Sequence, residues 1–390
     1  MIIFNFVKGV EFMDKINNEE NITEIEEDKV LNETNGYISN PFSTKDIKIT
    51  NVVVSLSSLI ERLQYDEIDL NPDFQRHSNL WSPTSMSRLI ESILLKLPLP
   101  IFYFDVSNPD RWIVVDGLQR LSSIKKFMVD KKLRLTNLEF LKELDNKKYD
   151  DLDRTSQRVI NETQIITYQI EAQTPKEVRY SIFNRINTGG LPLNAQEIRQ
   201  ALNQQGQGVK FLIECTENEV FRNIVNIPSK RMLDRELVLR FISFKLSNIY
   251  ENFPYNSMGE FLDKAMEKLD EIIDENQFSK LKSTLFDTLE FSEEILGKGH
   301  RFSRNIADTT KTKSLNRSLF DVITVCFSEI KDKERFKLKK DIFYEKFINL
   351  LQDERSDFSK AIVEGTSTKK AIEDRFRIMN DLIKGIMNEN

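Results

Sequence analysis

Every run with the alternating, β-branched character of a strand lies between residues 47 and 170, and beyond about Ala201 only helical periodicity remains. That asymmetry allows one small sheet near the N-terminus and none after it. The fold class is therefore α+β: a small sheet domain over 47–200, then an all-α domain over 201–390. Residues 1–46 are polar and acidic, with Glu19, Glu20, Glu24, Glu26, Glu27 and Asp28, and read as a tail or leader. A chain of 390 residues can bury two such cores, and 12 Gly and 10 Pro fit its helix-rich character.

Several chemistries are excluded before any motif is weighed. A formal net charge of −6 does not fit a uniformly basic nucleic-acid coat. Cys215 and Cys326 stand far apart, which rules out a disulfide framework or a cysteine zinc site and fits small buried apolar roles. The only histidines are His77 and His300, too few for histidine-based metal catalysis, and His300 alone reads as a surface or half-buried residue. There is no GxxxxGK[ST] loop. No apolar run approaches the roughly 20 residues of a membrane span, so the expected location is the cytoplasm, with no membrane partner.

Local signals place the elements. Val52 to Val54 read as a strand, and Ser55 caps a helix whose apolar face is Leu56, Leu59, Ile60 and Leu63. Ser82 and Pro83 open a helix with Met86, Leu89, Ile90, Ile93, Leu94 and Leu97 on one stripe, stopped by Pro98 and Pro100. Ile101 to Val106 and Trp112 to Val115 form a hairpin around Ser107, Asn108, Pro109 and Asp110. The second strand runs into Asp116, Gly117 and a further helix. Ile165 to Ile170 is another strand, Thr174 to Asn187 a helix stopped by Gly189 and Gly190, and Asn194 with Glu197 starts the next.

Three short segments carry polar chemistry. In Asp116-Gly-Leu-Gln-Arg120 a buried strand hands over to a helix, whose free N–H groups and positive end favour an anion, with Arg120 as a fork of donors. The structural alternative is a capped turn, with Asp116 bonding the helix N–H groups and Arg120 in a surface ion pair. A second loop repeats the dipeptide as Gln75-Arg76, followed by Trp81. It converges with the first on a polyanion, or else Phe74 and Trp81 are core anchors beside ordinary surface residues. The third, Phe183 to Gly190, holds Asn184, Arg185, Asn187 and Thr188 at a helix C-terminus, and taken alone it reads as a helix stop.

Taken together, these residues resemble a known family. The Pro-x-Phe-Gln-Arg loop, the Leu-Ile-Glu-Ser-Ile-Leu-Leu helix at 89–95, the Leu-Pro-Leu-Pro stop, the Asp-Gly-Leu-Gln-Arg-Leu turn and Phe-Asn-Arg-Ile-Asn-Thr-Gly-Gly look like the N-terminal domain of GmrSD-type modification-dependent restriction systems. Residues 231–240 and 255–266 resemble that family's helical continuation. The resemblance implies a ParB/sulfiredoxin-like small mixed sheet and a nucleotide-binding, often nucleotide-hydrolysing module that regulates restriction. It assigns Gln75, Arg76, Gly117, Gln119, Arg120, Asn184, Arg185 and Asn187 to nucleotide binding. Asp116 and Arg120 take catalytic roles, and Asp116 binds a metal such as Mg2+, a ribose or a water. Leu118 replaces the family's usual glutamine, which matters for hydrolysis only if that position faces the ligand rather than the core. The His-Asn-His nuclease domain that restriction members append has no histidine pair here to build it.

Two functions follow. One is an NTP-binding, NTP-hydrolysing regulator of a DNA restriction or anti-phage defence system, with a separate nuclease or defence subunit as partner. The other is a non-hydrolysing module that binds DNA or recruits a partner carrying the nuclease. Basic clusters such as Lys337, Lys339 and Lys340, or Lys311, Lys313 and Arg317, are then backbone contacts or solvated helix faces. Either function is compatible with a homo-oligomer.

Overall fold

The computed structural model describes residues 47–70, 81–186, 194–203, 206–247, 252–255, 257–272, 274–308, 310–311 and 313–389. They fall into two compact units: one within 47–209 that also holds Lys230–Leu233, and one comprising 210–229 and 234 onward. The α+β expectation holds, with all five strands in the first unit and helices in the second.

The N-terminal unit is built on strands β1 (Ile49–Ser55), β2 (Ile68–Asp69), β3 (Phe102–Asp105), β4 (Trp112–Asp116) and β5 (Gln164–Ile170), in the order β1-β5-β3-β4-β2. Pairing is antiparallel for β1 with β5 and for β3 with β4, and parallel for β5 with β3 and for β4 with β2, so the sheet is mixed. β2 and β4 consequently end on the same rim, where β3 begins. Its helices are α1 (Leu56–Gln64), α2 (Pro83–Leu94), α3 (Leu118–Met128), α4 (Arg154–Glu162), α5 (Lys176–Ile186) and α6 (Ala195–Leu202).

Side-chain alternation along β4 divides two cores. Trp112 and Val114 join Leu59, Ile90, Phe102, Phe104, Leu121 and Phe127 on one face. Ile113 and Val115 face the opposite way, toward Phe183, Ile198 and Met232. Helix starts follow the cap chemistry: Ser55 Oγ accepts from Ser58 N at 3.3 Å, and Ser82 Oγ from Ser85 N at 3.1 Å. The second helix stops at Leu94, before either proline, because Lys96 turns left-handed at φ 56° and leaves Leu97 half exposed.

The second unit packs α9 (Leu233–Ser247), α10 (Met258–Glu271), α11 (Glu275–Leu296), α12 (Arg317–Ser328) and α16 (Lys369–Asn388) around phenylalanines, with five further short or peripheral helices: α7 (Gln207–Glu217), α8 (Glu219–Val225), α13 (Lys333–Leu338), α14 (Lys340–Gln352) and α15 (Asp357–Ala361). Phe244 lies 4.9 Å from both Phe261 and Phe376, ring centre to ring centre. Cys215 and Cys326 are both buried, as expected. Among the described residues no helix is long and apolar enough to cross a membrane.

Candidate functional site

The Asp-Gly turn needs its glycine for two reasons. Gly117 is left-handed at φ 99°, and a Cβ there would stand 2.4 Å from Phe102 Cδ1 and 3.2 Å from Arg120 Nη2. Gly117 is also the N-cap of α3 and, as a glycine, offers no side chain to bond the first-turn N–H groups. The positive end of an eleven-residue helix therefore opens on the rim without a side-chain cap.

Asp116 does not cap that helix. Its carboxylate Oδ2 instead accepts from Arg120 Nη2 at 3.0 Å, with its side chain 40% exposed. The ion-pair half of the structural alternative is thus found, but not at the surface. Arg120 is 8% exposed, holds its guanidinium carbon 4.2 Å from the centre of the Phe102 ring, and donates Nη1 to the Pro100 carbonyl and Nη2 to the Ile101 carbonyl at 3.1 Å. Burial lowers its pKa from the usual arginine value, and Asp116 opposes that shift. The expectation of an exposed phosphate fork is corrected here, since both terminal nitrogens brace the turn against the entry of β3.

Gln119 bonds Trp81: its Oε1 accepts from Trp81 N at 3.3 Å, which ties that residue to the first turn of α3. Trp81 also packs against the first core, as does Leu118, so the position where the family usually has glutamine faces inward here. Gln75, Arg76 and Asn187 lie outside the described residues, and so does the side chain of Asn184, whose backbone is in α5. Arg185 is exposed in the last turn of that helix, and the neighbouring Ile186 packs in the core that holds Val115.

Residues that sequence reasoning did not single out brace this unit. Glu91, 3% exposed on α2, accepts from the backbone N–H groups of Glu139 at 3.0 Å, Phe140 at 2.7 Å and Leu141 at 2.8 Å. A carboxylate inside the apolar stripe Leu89-Ile90-Glu91-Ser92-Ile93 was the available signal. Asp105, buried at the far end of β3, is bound by Ser107 and by Arg179 Nη1 at 3.2 Å, which ties α5 to the hairpin.

Among the described residues no three metal-type ligands cluster. A single hard carboxylate, Asp116, fits Mg2+ when the ion is held chiefly by substrate phosphates and water. Lys337 is engaged by Glu294 and Glu334, both at 2.9 Å, which raise its pKa, and Lys311 and Arg317 face Asp308 and Glu236. His300 is 1% exposed rather than at the surface, and burial pushes it down to about 4.

Residues 56–204 match the model of the family described as GmrSD restriction endonuclease, N-terminal domain, so the resemblance drawn from the motifs is borne out over that stretch. No curated protein matches the chain. A solved structure titled "Structure of the C2221 form of Pnob8-like ParB-N domain" aligns at 16% identity, covering 88% of this chain and 99% of that one, with a TM-score of 0.21.

Proposed function

We propose that the GmrSD N-terminal domain carried by residues 56–204 binds a nucleoside triphosphate at the Asp116–Arg120 turn and makes this chain the nucleotide-dependent regulator of a DNA restriction or anti-phage system. The observation that supports it most is the α3 N-terminus: free of a side-chain cap, flanked by a half-exposed carboxylate, and bonded through Gln119 to Trp81.

In this reading the phosphates meet the first-turn N–H groups of α3, which Gly117 leaves without a side-chain cap. Gln119 donates its amide nitrogen, and Gln75, Arg76, Asn184, Arg185 and Asn187 complete the grip. Arg120 acts as a positioning residue that holds Asp116, not as a clamp on phosphate. Asp116 orients the attacking water and supplies the protein's ligand to Mg2+, which when bound neutralises phosphate charge. Water adds to the γ-phosphorus, the bridging P–O bond breaks, and the diphosphate leaves with that electron pair. Phosphoryl transfer rests chiefly on positioning and charge neutralisation, so this set suffices.

Purified protein incubated with Mg2+ and each of ATP, GTP, CTP and UTP, with and without DNA, should release phosphate with at least one of them. Asp116→Asn should lower that rate on the order of 10²-fold, with the fold intact because asparagine keeps an oxygen for Arg120 Nη2 and the side chain is 40% exposed. Salt-sensitive retention of DNA with no nucleotide binding would replace this reading with the non-hydrolysing module.

A further inference from the structure

The backbone visits the N-terminal unit a second time for only four residues. Lys230–Leu233 belongs there, whereas 210–229 and everything from Asp234 onward belong to the helical unit. Within that visit two consecutive non-glycine residues are left-handed, Arg231 at φ 59° and Met232 at φ 57°. Side chains disfavour that region, and a pair of such residues persists only where the surroundings over-determine it. Met232 is 3% exposed in the second core, with Val115 and Ile198. Arg231 donates Nη2 to Glu197 Oε2 at 2.9 Å, and its carbonyl accepts from Asn194 Nδ2 at 2.8 Å.

Both partners are informative. Asn194 and Glu197 are the two halves of the capping box that starts α6, a few residues after Asn184, Arg185 and Asn187. On the other side, α9 begins at Leu233, the residue after Met232. One short segment therefore joins the start of α6, the core behind Asp116 and the first turn of α9.

We infer that this strap is the switch by which occupancy of the nucleotide site reaches the helical unit, with the Glu197–Arg231 ion pair as its catch. The inference rests on the nucleotide reading and adds its route. In this proposal the strained segment, held by Glu197, by Asn194 and by the burial of Met232, has a second, relaxed state. A ligand that shifts the start of α6 binds the two states unequally and so moves the balance between them. Letting Arg231 and Met232 go alters the backbone that enters α9.

Hydrogen exchange on the full chain, alone and with Mg2+ plus each of the four nucleotides, tests this. One nucleotide should slow exchange at 116–121 and change it at 230–240. Glu197→Gln keeps an oxygen for the Asn194 N–H but removes the charge, so protection at 116–121 should persist while the response at 230–240 is lost. Arg231→Ala leaves the capping box untouched, should behave the same way, and serves if the first variant does not fold. Protection at 116–121 without any change at 230–240 in the unaltered chain overturns the strap alone. A response at 230–240 that survives both substitutions overturns it too. No effect at 116–121 with any nucleotide removes the nucleotide reading, and the strap with it.

Discussion

Phe102 accounts for two residues of the Asp-Gly-Leu-Gln-Arg turn at once: its ring occupies the space a Cβ on residue 117 would need and forms the floor under the Arg120 guanidinium. Gly117→Ala combines a left-handed alanine with a clash against a buried ring, and should cost about 2–4 kcal/mol in chemical denaturation. Arg120→Ala should cost about 3–5 kcal/mol, because it strips the Pro100 and Ile101 carbonyls and Asp116 of their shared donor. A loss under about 0.5 kcal/mol, as for an ordinary surface arginine, would refute the bracing role. The sequence made both residues visible but not the direction in which the arginine donates. Its carbonyl partners lie 20 and 19 residues earlier, across a strand whose pairing no local pattern encodes.

At the scale of elements, α2 shows how one buried charge holds a loop. Burial alone would raise the Glu91 pKa, but the N–H groups of Leu141, Glu139 and Phe140, helped by Arg88, outweigh it and hold the carboxyl below its ordinary value of 4.5. The folded state therefore binds this proton less readily than the unfolded chain. The resulting stability is fully present above about pH 4.5 and is lost as the pH falls through the lowered folded value. Glu91→Gln should be about 1–3 kcal/mol less stable at pH 7, with the gap narrowing on acidification to pH 3, as read from urea melts. A gap independent of pH would mean that shape rather than charge holds the 139–141 turn. Caps and periodicity made α1, α2 and α6 legible, because Ser55, Ser82 and Asn194 act within a few residues of themselves. β2 escaped notice because two residues carry no period, and it is a strand only through pairing with Trp112 and Ile113.

At the scale of the whole molecule, each unit carries its own buried organising charges, and those of the helical unit span the chain. Arg240 grips Asp321 with Nε at 2.9 Å and Nη2 at 2.6 Å, while Arg375 donates to the same carboxylate at 3.4 Å and to the Thr366 carbonyl at 2.5 Å. Arg240 ends the 231–240 segment whose resemblance was legible, but its reason for being an arginine sits 81 residues away. Asp321→Ala leaves two buried guanidiniums without their shared counter-charge and should cost about 3–5 kcal/mol. The two cores of the N-terminal unit do not contain these side chains. Hydrogen exchange in this variant should therefore accelerate across α9, α12 and α16 while α2 and α3 keep their protection. Equal acceleration everywhere would show that the units unfold as one and that the network stabilises both, whereas unchanged exchange in α9 and α12 would show that the arginines find other partners.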